Sequence, residues 1–122
     1  MHQEIKKDWL EALRSGKYTQ GKYSLKKENE EGKVSYCCLG VLCDLAVRQG
    51  IVEEEENASY CGEYLFDGEE TSLTPKLREW AGIETPEAKI DKPVGPHTSL
   101  MALNDSGDYT FPQIAQIIED QL

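Results

Sequence analysis

The segment Tyr36-Cys37-Cys38-Leu39-Gly40-Val41-Leu42-Cys43-Asp44-Leu45-Ala46 most constrains what this chain can fold into. It is the most apolar run in an otherwise polar sequence, and it holds three of the four cysteines. At 100° per residue, Cys38, Leu39, Leu42, Cys43, Leu45, Ala46 and Val47 spread over a broad apolar arc, with Cys37, Asp44 and Arg48 opposite. A helix apolar over so much of its circumference needs packing partners on two sides. Residues 37–49, closed by Gly50, are therefore expected to form the central helix.

The other elements follow from local signals. Ile5, Trp9 and Leu13 recur every four residues, which predicts a helix over 3–14 ended by Ser15-Gly16. Alternation at Tyr23 and Leu25, and again at Val34 and Tyr36, predicts a β-hairpin over 18–36 that turns at 28–32. A second hairpin is expected over 63–73, with Tyr64-Leu65-Phe66 and Thr71-Ser72-Leu73 joined by Asp67-Gly68. Thr74-Pro75 reads as N-cap and first helical residue of a short helix, with Leu77, Trp80 and Ala81 inward and Gly82 at its end. Among the prolines of 83–96, Ile90 and Val94 suit only a short edge strand. His97 to Leu103 reads as one or two helical turns capped by Thr98 or Ser99. Leu103-Asn104-Asp105-Ser106-Gly107 reads as a tight polar turn. The last helix spans 111–121, with Thr110 as N-cap and Ile114, Ile117, Ile118 and Leu122 as its stripe. Together these predict an α+β fold: one small domain over 1–122, about four helices and two antiparallel β-hairpins.

Lys and Arg number 13 against 23 Asp and Glu, a net charge of −10. Such a field repels nucleic-acid phosphates and anionic membranes, so neither is expected as a direct partner. It suits a partner with a basic surface. No apolar run is long enough to span a bilayer, and the polar N-terminus lacks a signal-peptide core. The expected compartment is cytoplasmic, with the cysteines as free thiols.

Three blocks carry a resemblance. They are Trp9-Leu10-x-Ala12-Leu13-Arg14-Ser15-Gly16-x-Tyr18-x-Gln20, the cysteine block from Tyr36 to Leu45, and Leu103-Asn104-Asp105-x-Gly107 followed by Phe111 and Ile114-Ala115. In that order the chain resembles small accessory proteins of tailed bacteriophages and prophages, over nearly its whole length. The resemblance implies expression in bacterial cytoplasm and action by binding: inhibition of a host defence or DNA-binding protein, or sequestration of a small nucleotide.

Several residues invite a chemical reading. The cysteine spacings of one and five within a helix do not converge on a metal, so core packing is the better reading and no metal or cofactor is expected. Cys37 or Cys38 at a helix start, followed by His97 and Asn104, matches the order of a Cys-dependent hydrolase. Asp44 and Arg48 suit an exposed ion pair. A ligand pocket would draw on Asp44, Asn104, Asp105, Lys22 and Tyr36, beside a hairpin that also carries Lys17, Lys26, Lys27 and Lys33. A protein-docking surface would use Glu53, Glu54, Glu55 and Glu56, expected as an exposed loop, with Glu69 and Glu70. The favoured expectation is non-catalytic binding of a basic host surface.

Overall fold

The computed structural model describes residues 1–122. Its elements are α1 (Gln3–Arg14), β1 (Lys26–Glu28), β2 (Val34–Tyr36), α2 (Cys38–Arg48), β3 (Glu54–Glu56), β4 (Tyr64–Phe66), α3 (Pro75–Ala81), β5 (Lys89–Val94), β6 (His97–Ser99), α4 (Leu100–Ser106) and α5 (Phe111–Gln121). The fold is α+β, with five helices and three two-stranded antiparallel sheets around one core of 25 buried residues.

The apolar arc of α2 explains its central place. Cys38 to Cys43 are all buried, and α2 packs against both α1 and α4. Cys37 is not on a solvent-facing side, as the wheel suggested. It is 4% exposed and is the N-cap residue, its sulfur accepting the Gly40 N–H at 3.4 Å. The wheel fails there because a cap residue has extended backbone and lies off the helical register. Trp9 ties α1 to the same end, its indole N–H donating to the Cys38 carbonyl at 3.0 Å. Gly40 is required by contact: a Cβ there would lie 1.6 Å from the Leu25 carbonyl oxygen.

Thr74 and Thr110 cap α3 and α5 as their sequences predict, and Gln113 completes a capping box on α5. The stripe of α5 packs on α1. Trp80 is only half-buried, unlike the fully buried Trp9.

Several expectations need correction. The first hairpin is shorter than 18–36, with β1 starting at Lys26. Tyr23 is not a strand residue: it sits at φ 70° and is 66% exposed, held by Asp105. The second hairpin pairs differently. Residues 64–66 run against Glu54–Glu56, in the register Glu54 to Phe66, Glu55 to Leu65 and Glu56 to Tyr64, and not against 71–73. Asp67-Gly68 does turn the chain, but it closes only a single bridge from Phe66 to Glu69, after which the Glu70 carbonyl is taken by the Leu25 N–H at 2.8 Å.

Glu54 to Glu56 of the acidic run are thus a strand and not a loop. Finally, His97–Ser99 is β6, paired with β5, and the helix expected from His97 with Ser99 as its cap begins only at Leu100. Ser99 caps α4, so Asn104, Asp105 and Ser106 form that helix's last turn and Gly107 ends it at φ 79°. The polar turn expected there is helix.

A bridge between Lys27 and Glu63, with the Glu28 N–H on the Gly62 carbonyl at 2.7 Å, sets β4 beside β1. The first two hairpins therefore make one layer in the order β2-β1-β4-β3. Gly62 permits this approach: it sits at φ 84°, and a Cβ would lie 2.3 Å from the Glu28 carbonyl oxygen.

Candidate functional site

Strand alternation sorts the acidic run onto two faces. Glu54 and Glu56 share the face of Phe66 and Tyr64, their partners in register. On that face Lys26 Nζ donates to both Glu54 carboxylate oxygens at 2.9 Å, and it lies 4.4 Å from the Tyr64 ring centre and 5.7 Å from that of Tyr36. Burial works most strongly against the Lys26 charge, but the hydrogen bonds to Glu54 and the fields of Tyr36, Glu54 and Tyr64 together outweigh it and hold the ammonium above its ordinary pKa. One of the four like charges is cancelled by a residue far away in sequence, which lets the segment pair as a strand.

Glu53 and Glu55 take the other face. With Asp67 and Lys76 they line an open cavity of about 470 Å³ whose apolar floor includes Ile51 and Val52. Asp67 is fixed in place by the Thr74 hydroxyl, which donates to its Oδ2 at 2.6 Å. Three carboxylates face one lysine there, so the cavity is a local acidic well on an acidic protein. Glu69 and Glu70 do not join it. Both are half-buried, and Glu70 Oε2 accepts from Asn57 Nδ2 at 2.8 Å.

A larger cavity of about 580 Å³ lies along α1 beside α5. Its charges are mixed, Lys6, Lys7 and Arg14 standing with Glu11 and Glu119; Arg14 donates to Glu119 Oε1 at 3.3 Å, and Lys6 Nζ to the Glu119 carbonyl at 3.2 Å. It offers no field of one sign.

The five residues expected to form a ligand pocket are split between structural tasks. Asn104 is 1% exposed and makes four hydrogen bonds. Its Oδ1 accepts from the Cys38 N–H at 3.1 Å and Gln20 Nε2 at 3.0 Å. Its Nδ2 donates to the Gly21 carbonyl at 2.8 Å and to Asp105 Oδ1 at 3.2 Å. Asp105 Oδ1 also accepts the Tyr23 N–H at 3.0 Å. Lys22 and Asn104 border a cavity of about 260 Å³, but Asn104 has no free polar atom to offer it.

Asp44 and Tyr36 lie in a different cluster. Asp44 accepts from the Tyr18 hydroxyl and from Arg48 Nε at 3.0 Å, and Tyr18 meets the Tyr36 ring edge-on at 5.1 Å. Burial, then the hydrogen bond to Asp44, pushes the Tyr18 hydroxyl well above its ordinary pKa. The Asp44–Arg48 pair is therefore not simply an exposed ion pair: Arg48 is exposed, but the Asp44 side chain is 13% exposed and anchors the segment before β1.

The thiols expected for nucleophilic chemistry are inside the core. Burial pushes Cys37 up to about 12 against the pull of the Gly40 N–H, and pushes Cys38 and Cys43 up as well. Cys38 Sγ donates to the Leu100 carbonyl at 3.6 Å. His97 is engaged edge-on with Tyr109 at 6.1 Å. Cys37 and Cys38 thus remain protonated at neutral pH, and the hydrolase reading lacks its nucleophile. Cys61 alone is an exposed thiol.

Sequence reasoning missed Lys26, Asp67, Tyr18 and Gln20 as organising residues. Lys26 had a signal, as the one lysine alternating in phase with Tyr36 across the hairpin. Gln20 had none.

What the fold and site define is a small α+β domain with a buried thiol core and an acidic strand beside a shallow well. The chain belongs to a family described as a domain of unknown function (DUF8296), whose model matches residues 1–122. No curated protein and no solved structure matches it.

Proposed function

We propose that this is a non-catalytic accessory protein of a tailed bacteriophage or prophage, working in the bacterial cytoplasm, that docks its acidic surface on a basic face of a host defence or DNA-binding protein. One observation carries the reading: Glu53, Glu55 and Asp67 converge on one open cavity while Glu54, on the other face, is cancelled by Lys26. Of the three glutamates left uncancelled, Glu53 and Glu55 face that cavity, while Glu56 lies on the other face. Charge of this kind steers association and weakens with salt. No helix is long and apolar enough to cross a membrane, which is compatible with that setting.

Sequestration of a small nucleotide has less support. Its expected residues fall in two separate clusters, and Asn104, the central one, is already saturated.

Cross-linking in the bacterial host, followed by mass spectrometry, tests the reading with native protein and with the double variant Glu53→Lys/Glu55→Lys. A single host protein lost in the variant and released by salt is the expected result. An unchanged partner set, or a small molecule in place of a protein, would reject it.

A further inference from the structure

The two edges of the β2-β1-β4-β3 layer differ. The outer edge of β2 is covered: the Tyr36 N–H donates to the Thr19 carbonyl at 2.9 Å, and the Gly21 N–H to the Tyr36 carbonyl at 2.7 Å. The outer edge of β3 is bare. The Asp67 N–H reaches the Glu53 carbonyl at 3.2 Å and the Asn57 N–H reaches the Glu63 carbonyl at 2.8 Å, so residues 53, 55 and 57 are the ones bonded to the β4 side. Antiparallel pairing alternates. The N–H and C=O of Glu54 and Glu56 therefore point away from β4, and they have no protein partner.

An unpaired strand edge is a template for another strand. Glutamates along it oppose a second copy of the same edge, because like charges would face each other. They favour a cationic one. A strand added here would send alternate side chains into the well lined by Glu53, Glu55 and Asp67. The intervening side chains would lie on the face of Tyr64 and Glu56.

We infer that β3 takes an extended segment of the partner as an added strand, with Lys or Arg at every second position seated in the acidic well. This rests on the docking function proposed above and specifies how that docking is made. Main-chain hydrogen bonds to Glu54 and Glu56 supply the affinity, and the spacing of the basic residues supplies the choice of partner.

The test uses a blocked peptide of alternating Lys and Val, and the same peptide with the backbone nitrogens of its Val residues methylated. In an antiparallel addition the Val residues face Glu54 and Glu56 and exchange main-chain bonds with them, so this methylation keeps every charge and removes the strand pairing. Amide hydrogen exchange should show Glu54 and Glu56 protected by the parent peptide, and methylation should weaken binding by at least about tenfold. A second variant, Glu56→Pro, deletes an outward N–H that β4 does not use, in an edge position where proline is tolerated. It should keep the native melting temperature to within a few degrees and lose the peptide.

Equal binding of parent and methylated peptides would overturn strand addition, while leaving docking through side-chain charge intact. So would peptide binding in Glu56→Pro at native strength, or self-association of the native protein that Glu56→Pro abolishes. Failure of the docking function itself is read separately, from the host cross-links of the Glu53→Lys/Glu55→Lys variant.

Discussion

The side-chain carbonyl of Asn104, in the last turn of α4, accepts the backbone N–H of Cys38 in the first turn of α2 at 3.1 Å. That N–H is one of the helix's orphan donors, and it is buried. The same amide holds Gln20 and the Gly21 carbonyl, so one side chain joins both helices to the segment before β1. Asn104→Ala strands several buried groups at once and should cost about 2–4 kcal/mol, read from urea unfolding. Asn104→Asp keeps the acceptor but brings a second carboxylate against Asp105 Oδ1, which the native amide reaches at 3.2 Å. Its loss should be larger at pH 7 than at pH 4, where protonation relieves the repulsion. A loss independent of pH would place the effect elsewhere.

The buried thiols make the protein sensitive to alkali. Cys37 is pushed up to about 12 from an ordinary value of 9.0. Its folded pKa lies above its unfolded one, so its contribution is complete below pH 9 and is lost as pH climbs from 9 to 12. Only the unfolded chain releases the proton in that window. Each such thiol tilts stability by about 1.4 kcal/mol per pH unit there. Cys38 and Cys43 shift in the same direction and steepen the fall. Denaturant midpoints in reductant should be flat from pH 7 to 8.5 and decline beyond 9, with a shallower decline in Cys37→Ala. The same slope in the variant would show that Cys37 ionises freely in the fold.

Gly40, inside the first turn of α2, and Gly50, just past its end, should respond to alanine very differently. At Gly40 the added methyl meets the Leu25 carbonyl oxygen at 1.6 Å, a backbone atom that no rotamer change can move aside. Gly40→Ala must push Leu25, just before β1, off the helix and should cost more than about 3 kcal/mol or prevent folding. At Gly50 nothing lies within 4 Å, and the cost comes only from a φ of 74°. Gly50→Ala should cost about 1 kcal/mol. Thermal melts of the pair would show the ranking, and equal losses would mean the contact between α2 and Leu25 is looser than described.

Much of the helical framework is legible in the residues themselves. A cap, a proline at the first turn or a four-residue apolar repeat acts over one or two turns of chain, so Thr74, Thr110 and the Ile5-Trp9-Leu13 series place their helices unaided. The burial of Cys38, Leu42 and Cys43 follows from the width of the apolar arc. Cys37 escaped that reasoning because a cap residue breaks the helical geometry on which a wheel depends.

The candidate site was half legible. Residues 53–56 stood out as an acidic surface, but not as a strand, since four adjacent charges oppose pairing when considered alone. Asn104 and Asp105 stood out as polar, but not as an internal clamp.

By itself, then, the order of residues determined most of the helices, the threonine caps of α3 and α5, the α+β class and the sulfur-rich interior, because those depend on neighbours within a few positions. Only the tertiary structure decided which strand Tyr64–Phe66 would choose, where each glutamate would point and that Asn104 would be spent on Cys38 and Gly21. Those outcomes depend on groups far apart in the chain, as Lys26 and Glu54 are, and a charge is cancelled only when folding brings its counterpart within reach.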